Sequence, residues 1–256
     1  MILEKITSTK NTKIKQWKKL HSSKGRKEFG QYILEGEHLF QEAKKAGIFI
    51  REVIVTQNFL DKQSSMNVTD VSSSVFTVTD EVMKAISQTQ TSQGILCILN
   101  ITENQLSEKI NGKFVLLDGV QDPGNAGTIV RTADAAGYSG VVFGTGSVDP
   151  YNDKVIRSMQ GSHFHIPIYR EDLGEIIHPY IKQNIPVYGT ALDERAQDFR
   201  TIPTTSSLAI IFGNEGSGIS KEILEKTTQN LYIPILGEAE SLNVAVAAGI
   251  LIYHFL

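Results

Sequence analysis

The sequence lacks the features that mark disulfide-rich, membrane and secreted proteins. Cys97 is the single cysteine among 256 residues, which excludes an internal disulfide framework and a cysteine-based zinc cluster and is typical of a reducing compartment. The longest apolar run, residues 244–256, is shorter than the roughly 20 residues of a membrane-spanning helix and contains His254. The N-terminus has no apolar core followed by a small-residue cleavage site. We therefore expect a cytoplasmic protein with no membrane segment.

Positive charge is also scarce overall, since the net charge is −3. It is unevenly distributed, however: the first 51 residues contain 12 basic and 5 acidic residues, and the remainder contains 13 and 23. Within the basic end, Ile14, Trp17 and Leu20 recur among lysines at helical spacing. This pattern predicts a helix over residues 9–20 with a basic, solvated face.

Short apolar strands alternate with helices along the whole chain, which predicts an α/β protein. The polar segment 101–112 is expected to link a smaller α/β domain, residues 1–100, to a larger domain, residues 113–256. Strands of the larger domain are predicted at 114–117, 141–143, 166–169, 187–190, 208–212 and 231–235. Apolar strands separated by helices indicate a parallel sheet covered on both faces. A serine-rich loop is predicted at 64–74.

Three strand-to-loop transitions of the larger domain carry glycines and polar side chains, and such sheets bind ligands where their strands end. The first, 116–137, contains Asp122, Asn125 and Arg131. Asn125 and Arg131 are six residues apart, so they can face one cleft only if Asn125 lies at or before the start of the helix. The alternative is a glycine turn followed by a solvated arginine.

The second transition, 208–220, contains Gly213, Gly216 and Gly218 with Glu215 inside the turn. It lacks the Walker lysine, and its glycines are not in the order of the dinucleotide fingerprint. A carboxylate would also repel phosphate, which favours a neutral or positively charged ligand over ATP.

The third transition, 232–256, leads into a helix rich in alanine and valine. Ser241 is the predicted N-cap, and residues 246–256 are predicted to form a buried helix. Asn243 is then an amide in an apolar helix, and it needs hydrogen-bond partners that a ligand or a loop could supply. Ser241 is not in a nucleophile elbow, which argues against hydrolase chemistry.

No metal is expected. His163 and His165 are the closest pair of candidate ligands, but no third ligand is near them in sequence. We interpret them as neutral histidines at a strand edge.

Taken in order, the three transitions resemble the three motifs of the SpoU (TrmH) family of RNA 2′-O-ribose methyltransferases, within the SPOUT class of knotted enzymes. The similar stretches are NAGTIVRTADAAG (125–137), FGNEGSGIS (212–220) and IPILGEAESLNVAVAAGI (233–250). The motif positions are occupied by Asn125, Arg131, Glu215, Ser241 and Asn243. Many members have a serine where this chain has Ala245. Residues 1–100, above all GRKEFGQYILEGEHLFQEA (25–43), resemble the L30e-like substrate-binding domain that many members carry.

The resemblance implies S-adenosylmethionine-dependent methylation of a ribose 2′-hydroxyl in structured RNA. Ribosomal RNA of the 23S type is the expected substrate, and transfer RNA is the alternative. The resemblance also implies a trefoil knot made by the C-terminal segment and a homodimer whose subunits share the site. The residues implied for the cofactor are Thr190, Gly213, Asn214, Gly216, Ile233, Leu242 and Asn243.

Roles for the catalytic candidates follow from the resemblance. An arginine essentially never loses its proton, so Arg131 is expected to grip RNA phosphate and stabilise negative charge on the attacking oxygen. Asn125 and Asn243 are expected to orient the ribose and the loop. Glu215 is expected to fix Arg131 or the loop, and Ser241 to cap the helix and touch the substrate.

The basic N-terminal end is expected to neutralise RNA phosphates, with binding that weakens steeply as salt rises. The residues assigned to this contact are Lys10, Lys13, Lys18, Lys24, Arg26 and Lys27. Two rival functions stay open: a noncatalytic RNA-binding module with a relic site, and a nucleotide-dependent enzyme of ordinary doubly wound fold. The complete set of motif residues argues against the first rival, and the missing phosphate motifs argue against the second.

Overall fold

The computed structural model describes residues 2–62, 72–107 and 109–256, and the chain divides into two compact units. The first unit contains the residues up to Thr102 together with Tyr151–Phe164. The second contains Glu103–Pro150 and His165–Leu256. Among the described residues, no helix combines the length and the apolar character needed to cross a membrane.

The first unit is a five-stranded mixed sheet with helices. Its elements are β1 (Ile2–Ile6), α1 (Thr12–Lys19), α2 (Ser23–Phe29), β2 (Gln31–Glu35), α3 (Glu37–Lys45), β3 (Ile50–Thr56), α4 (Gln57–Lys62), β4 (Ser72–Val78), α5 (Asp80–Ile86), β5 (Ile95–Asn100) and α7 (Asp153–Met159). The strand order is β1-β4-β3-β5-β2, and β5 is antiparallel to both of its neighbours. Strands β1 to β4 therefore end at the same edge of the sheet.

The apolar face of α1 forms part of the core of this unit. Asn11 caps the helix by accepting from the backbone N–H of Lys13 at 2.8 Å, and Ile14 and Trp17 are fully buried. The Trp17 indole donates to the carboxylate of Glu52 at 2.6 Å, and Lys13 forms an ion pair with the same carboxylate. Most of the serine-rich loop predicted at 64–74 lies outside the described residues, and its last part belongs to β4.

The segment 151–164 departs from the sequence-based division, which assigned it to the second domain. The ring of Tyr151 packs on that of Tyr32 in β2, with 4.9 Å between the ring centroids. The Tyr151 hydroxyl donates to the Thr102 carbonyl at 3.1 Å. His163 lies in a 3-10 helix rather than at a strand edge, and its ring meets Tyr32 edge-on at 5.9 Å. These aromatic contacts hold the segment in the first unit.

The second unit is a seven-stranded, entirely parallel sheet, as predicted for the larger domain. Its elements are β6 (Lys113–Asp118), α6 (Pro123–Ala135), β7 (Gly140–Phe143), β8 (Ile168–Arg170), α8 (Leu173–Lys182), β9 (Val187–Thr190), β10 (Gln197–Asp198), β11 (Leu208–Gly213), α9 (Lys221–Glu225), β12 (Gln229–Tyr232) and α10 (Val244–His254). The strand order is β10-β12-β9-β11-β6-β7-β8. The polar segment predicted as a linker anchors to this unit through the buried Ile110.

Helices α6 and α10 pack against each other, and the Tyr138 hydroxyl after α6 donates to the Ile252 carbonyl of α10 at 3.1 Å. The prediction of a buried C-terminal helix is correct for one face of α10 only. Ala248, Leu251 and Ile252 are buried, whereas three apolar residues on the other face, Val246, Ile250 and Tyr253, are 53%, 37% and 51% exposed, and Leu256 after the helix is 56% exposed.

Candidate active site

The site lies where the central strands of the second unit end. β6 and β11 are neighbours in register, with Asp118 opposite Gly213, so the loop that follows β6 and the loop that follows β11 leave the sheet side by side. α6 begins in the first loop with Asp122 as its N-cap and Pro123 at its first turn. Asp122 accepts from the backbone N–H of Asn125 at 2.8 Å, which fixes the start of the helix.

The carboxylate of Glu215 ties the two loops together. One oxygen accepts from the backbone N–H of Gln121, and the other accepts from the backbone N–H of Asp122 and from the side-chain amide of Asn125, each at 3.1 Å. Of the two roles expected for Glu215, the structure therefore has the one that fixes the loop. Its oxygens are directed to the start of α6, and among the described residues of one chain they have no bond to Arg131.

Burial and hydrogen bonding oppose each other in setting the pKa of Glu215. Partial burial acts to raise this pKa. The hydrogen bonds from Asn125, Gln121, the residue's own backbone and Asp122 together outweigh that effect, so the pKa lies below its ordinary value. Glu215 is consequently ionised at neutral pH and acts only as an acceptor.

Asn243 joins the third motif to the first. It is the N-cap of α10, where its side-chain oxygen accepts from the backbone N–H groups of Ala245 and Val246 at 2.9 and 3.3 Å. Its amide nitrogen donates to the side-chain oxygen of Asn125 at 3.0 Å. The prediction of Ser241 as the N-cap is wrong, because Ser241 precedes the helix by three residues and the amide of Asn243 satisfies the first N–H groups.

The loop after β11 is shaped by Asn214. Its amide donates to the Gly119 carbonyl at 2.8 Å, and its oxygen accepts from the backbone N–H groups of Gly216 and Ser217 at 2.9 and 3.1 Å. Gly213 permits the turn, since a Cβ atom there would lie 2.2 Å from the backbone of Gly218. Four of the assigned cofactor and catalytic positions, 213–216, thus form one tightly bonded turn.

Two acidic residues that were not assigned to the site help to hold it. Asp118, at the end of β6, accepts from the backbone N–H of Ser220 at 2.7 Å and so closes the far side of the turn. Asp122 caps α6 as described. An aspartate before proline is a recognisable cap signal, but the position of Asp118 opposite Gly213 depends on a register that the sequence does not reveal.

Arg131 and Ser241 are not joined to this cluster. Arg131 lies on α6, about 120° around the helix axis from Asn125 at 3.6 residues per turn, and it is exposed. Within the described part of the chain neither its guanidinium nor the Ser241 hydroxyl has a hydrogen-bond or ion-pair partner. Asn125 lies inside the first turn of α6, so the two residues do not converge within one chain.

The remaining cofactor candidates line the same edge of the sheet. Thr190 ends β9, and its hydroxyl donates to the Ile211 carbonyl at 2.8 Å. Ile233 follows β12 and is half-buried, and Leu242 is 38% exposed. Two further apolar side chains of these loops, Leu192 and Leu236, are 86% and 98% exposed.

The basic residues of the first unit have two different environments. Lys10, Lys18, Lys24 and Lys27 are exposed. Arg26, in contrast, is 3% exposed and donates to the Leu20 and His21 carbonyls at 2.9 and 3.0 Å. This corrects the assignment of Arg26 to an RNA contact, because its guanidinium holds the turn between α1 and α2. Lys13 is engaged by Glu52.

The described ranges contain no group of three or more His, Cys, Asp or Glu side chains arranged to hold a metal ion. The polar groups of the site are instead amides, backbone groups and carboxylates that accept from N–H groups, a set suited to orienting an organic ligand.

Comparison with known proteins gives matches over both units. A family model described as the SpoU rRNA Methylase family matches residues 112–253, and one described as the MRM3-like substrate binding domain matches residues 11–97. The chain is 43% identical over 254 residues to the 23S rRNA (guanosine(2553)-2′-O)-methyltransferase RlmP of Bacillus subtilis, a match that covers 98% of this chain and 99% of that protein.

Two further matches are also nearly full-length. An uncharacterized tRNA/rRNA methyltransferase of Synechocystis is 34% identical, with 97% of this chain and 92% of that protein covered. The crystal structure of an AdoMet-bound rRNA methyltransferase from Sinorhizobium meliloti superposes with a TM-score of 0.87 at 29% identity, covering 98% of this chain and 97% of that one. The residues that meet at Glu215 all lie inside the segment matched by the methylase model, and the chain belongs to the SpoU rRNA methylase family.

Proposed function

We propose that this protein transfers a methyl group from S-adenosylmethionine to the 2′-hydroxyl of a ribose in ribosomal RNA of the 23S type. The observation that carries the proposal is the direct bonding of Glu215, Asn125 and Asn243, which joins the three family motifs into one site. The relative from Bacillus subtilis is named for this reaction, and the Sinorhizobium meliloti structure contains AdoMet. Because the substrate is ribosomal RNA, the proposal includes a cytoplasmic location.

The residues at the carboxyl edge fit such a cofactor. Leu192 and Leu236 offer exposed apolar surface, and Gly216 in the turn after β11 is exposed. The ionised Glu215 is compatible with a positively charged sulfonium. We assign the cofactor contacts to Thr190, Gly213, Asn214, Gly216, Ile233, Leu242 and Asn243. When bound, the cofactor supplies an electrophilic methyl group.

The residues of the chain orient the ribose and stabilise charge on it. Asn125 and Asn243 present amides at the joined helix starts, where they can position a hydroxyl in line with its target. Ser241 touches the substrate from the loop before α10. Arg131 grips an RNA phosphate and stabilises the negative charge that develops on the attacking oxygen. Glu215 holds the amide of Asn125 in place.

The active form is proposed to be a homodimer. Thr128, Arg131 and Ala135 are exposed on one face of α6, and Val246, Ile250 and Tyr253 are exposed on one face of the adjacent α10. An apolar face of this kind is typical of an interface. A second copy covering it would contact Arg131, which does not converge with Asn125 within one chain. Ile250→Glu is expected to give monomers in sedimentation analysis, and an unchanged dimer would contradict this interface.

The two units take separate tasks in this proposal. The unit formed mainly by residues 1–100 binds RNA through Lys10, Lys18, Lys24 and Lys27, and the unit formed mainly by residues 113–256 carries out the methyl transfer. The segment after β12 crosses from the outer part of the sheet to pack α10 on α6 and against the central strand β11. This return supports the proposal that the C-terminal segment is knotted.

The test is transfer of labelled methyl from S-adenosylmethionine to total RNA from cells that lack this gene, followed by nuclease digestion and nucleoside analysis. Label in a 2′-O-methylnucleoside of the large ribosomal RNA is the expected result. Label confined to transfer RNA would contradict the substrate. No transfer to any RNA, together with no binding of the cofactor, would favour a noncatalytic RNA-binding module.

A further inference from the structure

The first unit contains a cavity of about 510 Å³ at the edge where β2, β3 and β4 end. This volume lies within the range of about 300–1,000 Å³ that is typical of ligand sites. The cavity is open on one side and is lined by the end of β3 with α4, by α5, and by the loop 87–94 that connects α5 to β5. All of its lining residues belong to the first unit, so the cavity is separate from the methyl-transfer site.

The loop that closes the cavity is held at its start by a carboxylate. Glu35, the last residue of β2, accepts from the hydroxyls of Ser87 and Thr89 and from the backbone N–H of Gln88 at 2.9 Å. These three bonds engage consecutive residues of the loop. The wall is therefore formed before any ligand arrives, which lowers the entropic cost of binding.

The loop is held equally firmly at its end. Gly94 has a φ of +83°, its carbonyl accepts from the Thr56 backbone N–H at 2.9 Å, and a Cβ atom at Gly94 would lie 2.7 Å from the Thr56 hydroxyl. The side-chain oxygen of Gln93 accepts from the Glu37 backbone N–H at 2.8 Å. The loop is thus bonded to the end of β2 and to the end of β3. At the second of these contacts, only a glycine fits at position 94.

The lining combines three kinds of surface. The amides of Asn58 and Gln90 are exposed and have no hydrogen-bond partner within the described ranges. The side chains of Phe59 and Met83 give an apolar floor, of which 5% and 2% is exposed. Lys62 and Lys84 stand at the wall, where Glu37 and Asp80 balance their charge.

This combination matches one unstacked nucleotide. An amide both donates and accepts, as the edges of the bases do, and an apolar floor suits the face of a base. The two lysines can meet the flanking phosphates. The net charge of the wall is near zero. The lining therefore favours a base next to a single phosphate over a run of phosphates without a base.

The cavity also borders the basic surface of the same unit. α5 contributes Met83 and Lys84 to the cavity, and it also packs on α1 through the core that contains Met83 and Trp17. His21, just after α1, bonds to the carbonyl of Ile86 at the end of α5 at 2.8 Å. One helix therefore separates the exposed lysines of α1 from the cavity, so a single RNA strand can reach both.

We infer that this cavity receives one unstacked nucleotide of the substrate RNA, with Asn58 and Gln90 contacting the base and Lys84 contacting a phosphate. The inference rests on the proposed function, since it takes the substrate to be RNA. It assigns to the first unit a contact with a base, in addition to the phosphate contacts proposed for the exposed lysines of α1 and α2.

The test compares variants of the full chain in binding and in methyl transfer. The probe is 23S ribosomal RNA from cells that lack this gene. The double variant Asn58→Ala, Gln90→Ala is expected to raise the Kd for this RNA by about tenfold, because contacts to a base are lost. The control is Gln88→Ala, an exposed amide of the same loop that does not line the cavity, and it should bind as wild type.

Two further measurements separate a base contact from a charge effect. Cofactor binding and the maximal rate at saturating RNA should stay at wild-type values in the double variant, because the methyl-transfer site is untouched. Lys84→Ala should lower the salt dependence of RNA binding by about one charge, while Lys45→Ala, on the exposed end of α3, should leave that salt dependence unchanged.

The failures of the two proposals are distinguishable. If the wild-type protein neither binds nor methylates this RNA, the proposed function fails. If the wild-type protein does both and the double variant matches Gln88→Ala, the cavity assignment alone fails. Calorimetry with the four free ribonucleoside monophosphates tests whether the ligand is a free nucleotide instead. If the wild type binds one of them, and the double variant loses this binding while its affinity for RNA is unchanged, RNA is not the ligand of the cavity.

Discussion

Asn125 and Asn243 are 118 residues apart in the sequence, and their side-chain amides share a 3.0 Å hydrogen bond that joins the start of α6 to the start of α10. Each amide has a second partner: Asn125 donates to Glu215, and Asn243 accepts from the first N–H groups of α10. The same two side chains therefore set the relative position of two helices and present the polar surface of the site. A change in either should affect folding and activity together.

Asn243→Ala removes a helix cap and the bond to Asn125 at once. The free energy of unfolding is expected to fall by about 0.5–2 kcal/mol, the range for a lost N-cap. Denaturant unfolding measures this change. Ser241→Ala is the matched control, since Ser241 lies in the same loop without capping α10, and it should leave the stability near wild type. Equal losses in both variants would contradict the capping role of Asn243.

Glu215→Gln should destabilise the protein in a pH-dependent manner. The pKa of Glu215 is lowered in the folded state, so the stability from its ionised form is complete above the unfolded pKa of about 4.3 and is lost as the pH falls through the lower folded value. The difference in unfolding free energy between wild type and variant should therefore be largest near neutral pH and shrink in acid. Glu240→Gln removes a charge from an exposed loop and serves as the control. A constant difference would refute the interpretation.

Arg131→Ala should strongly slow methyl transfer and leave cofactor binding nearly intact, because Arg131 is not part of the turn at Gly213. The loss in kcat is expected to reach about 100-fold to 1,000-fold, as for other single donors that stabilise developing charge. Arg131→Lys keeps the charge without the planar fork and should recover only part of the rate. Single-turnover assays and calorimetry with the cofactor product measure the two effects. Unchanged turnover would remove Arg131 from the mechanism.

Arg26 and Lys27 are neighbours in sequence with opposite expected effects. Lys27→Ala should weaken RNA binding and reduce its salt dependence by about one charge, because Lys27 is exposed. Arg26→Ala should lower the free energy of unfolding, since it deprives the Leu20 and His21 carbonyls of their donor. Filter binding over a salt series and thermal unfolding distinguish the two. The reverse pattern would mean that Arg26 is a phosphate contact after all.

The sequence was sufficient to predict the parallel sheet and the family, because both depend on local patterns. Apolar strands alternate with helices through the second unit, and the glycine-rich turn around Glu215 is contiguous in sequence. Such features can be recognised without knowing the tertiary structure.

What could not be predicted depends on contacts between distant parts of the chain. Asn243 rather than Ser241 caps α10 because Asn125, far away in sequence, fixes its amide. Arg26 is the residue type expected to contact phosphate, but it is buried in the turn between α1 and α2. The destination of residues 151–164 depends on Tyr151 packing against Tyr32, and no local pattern indicates a pairing of two aromatic residues over such a separation.

The return of residues 151–164 to the first unit sets an order on how the protein can mature during translation. Residues leave the ribosome in sequence, and domains generally fold as they emerge. The aromatic partners of Tyr32 arrive only after β6, α6 and β7 have been synthesised. The N-terminal unit therefore stays incomplete until residues 151–164 emerge, when the first strands of the second unit are already outside the ribosome. An exchange of this unit between relatives must accordingly transfer two pieces of the gene.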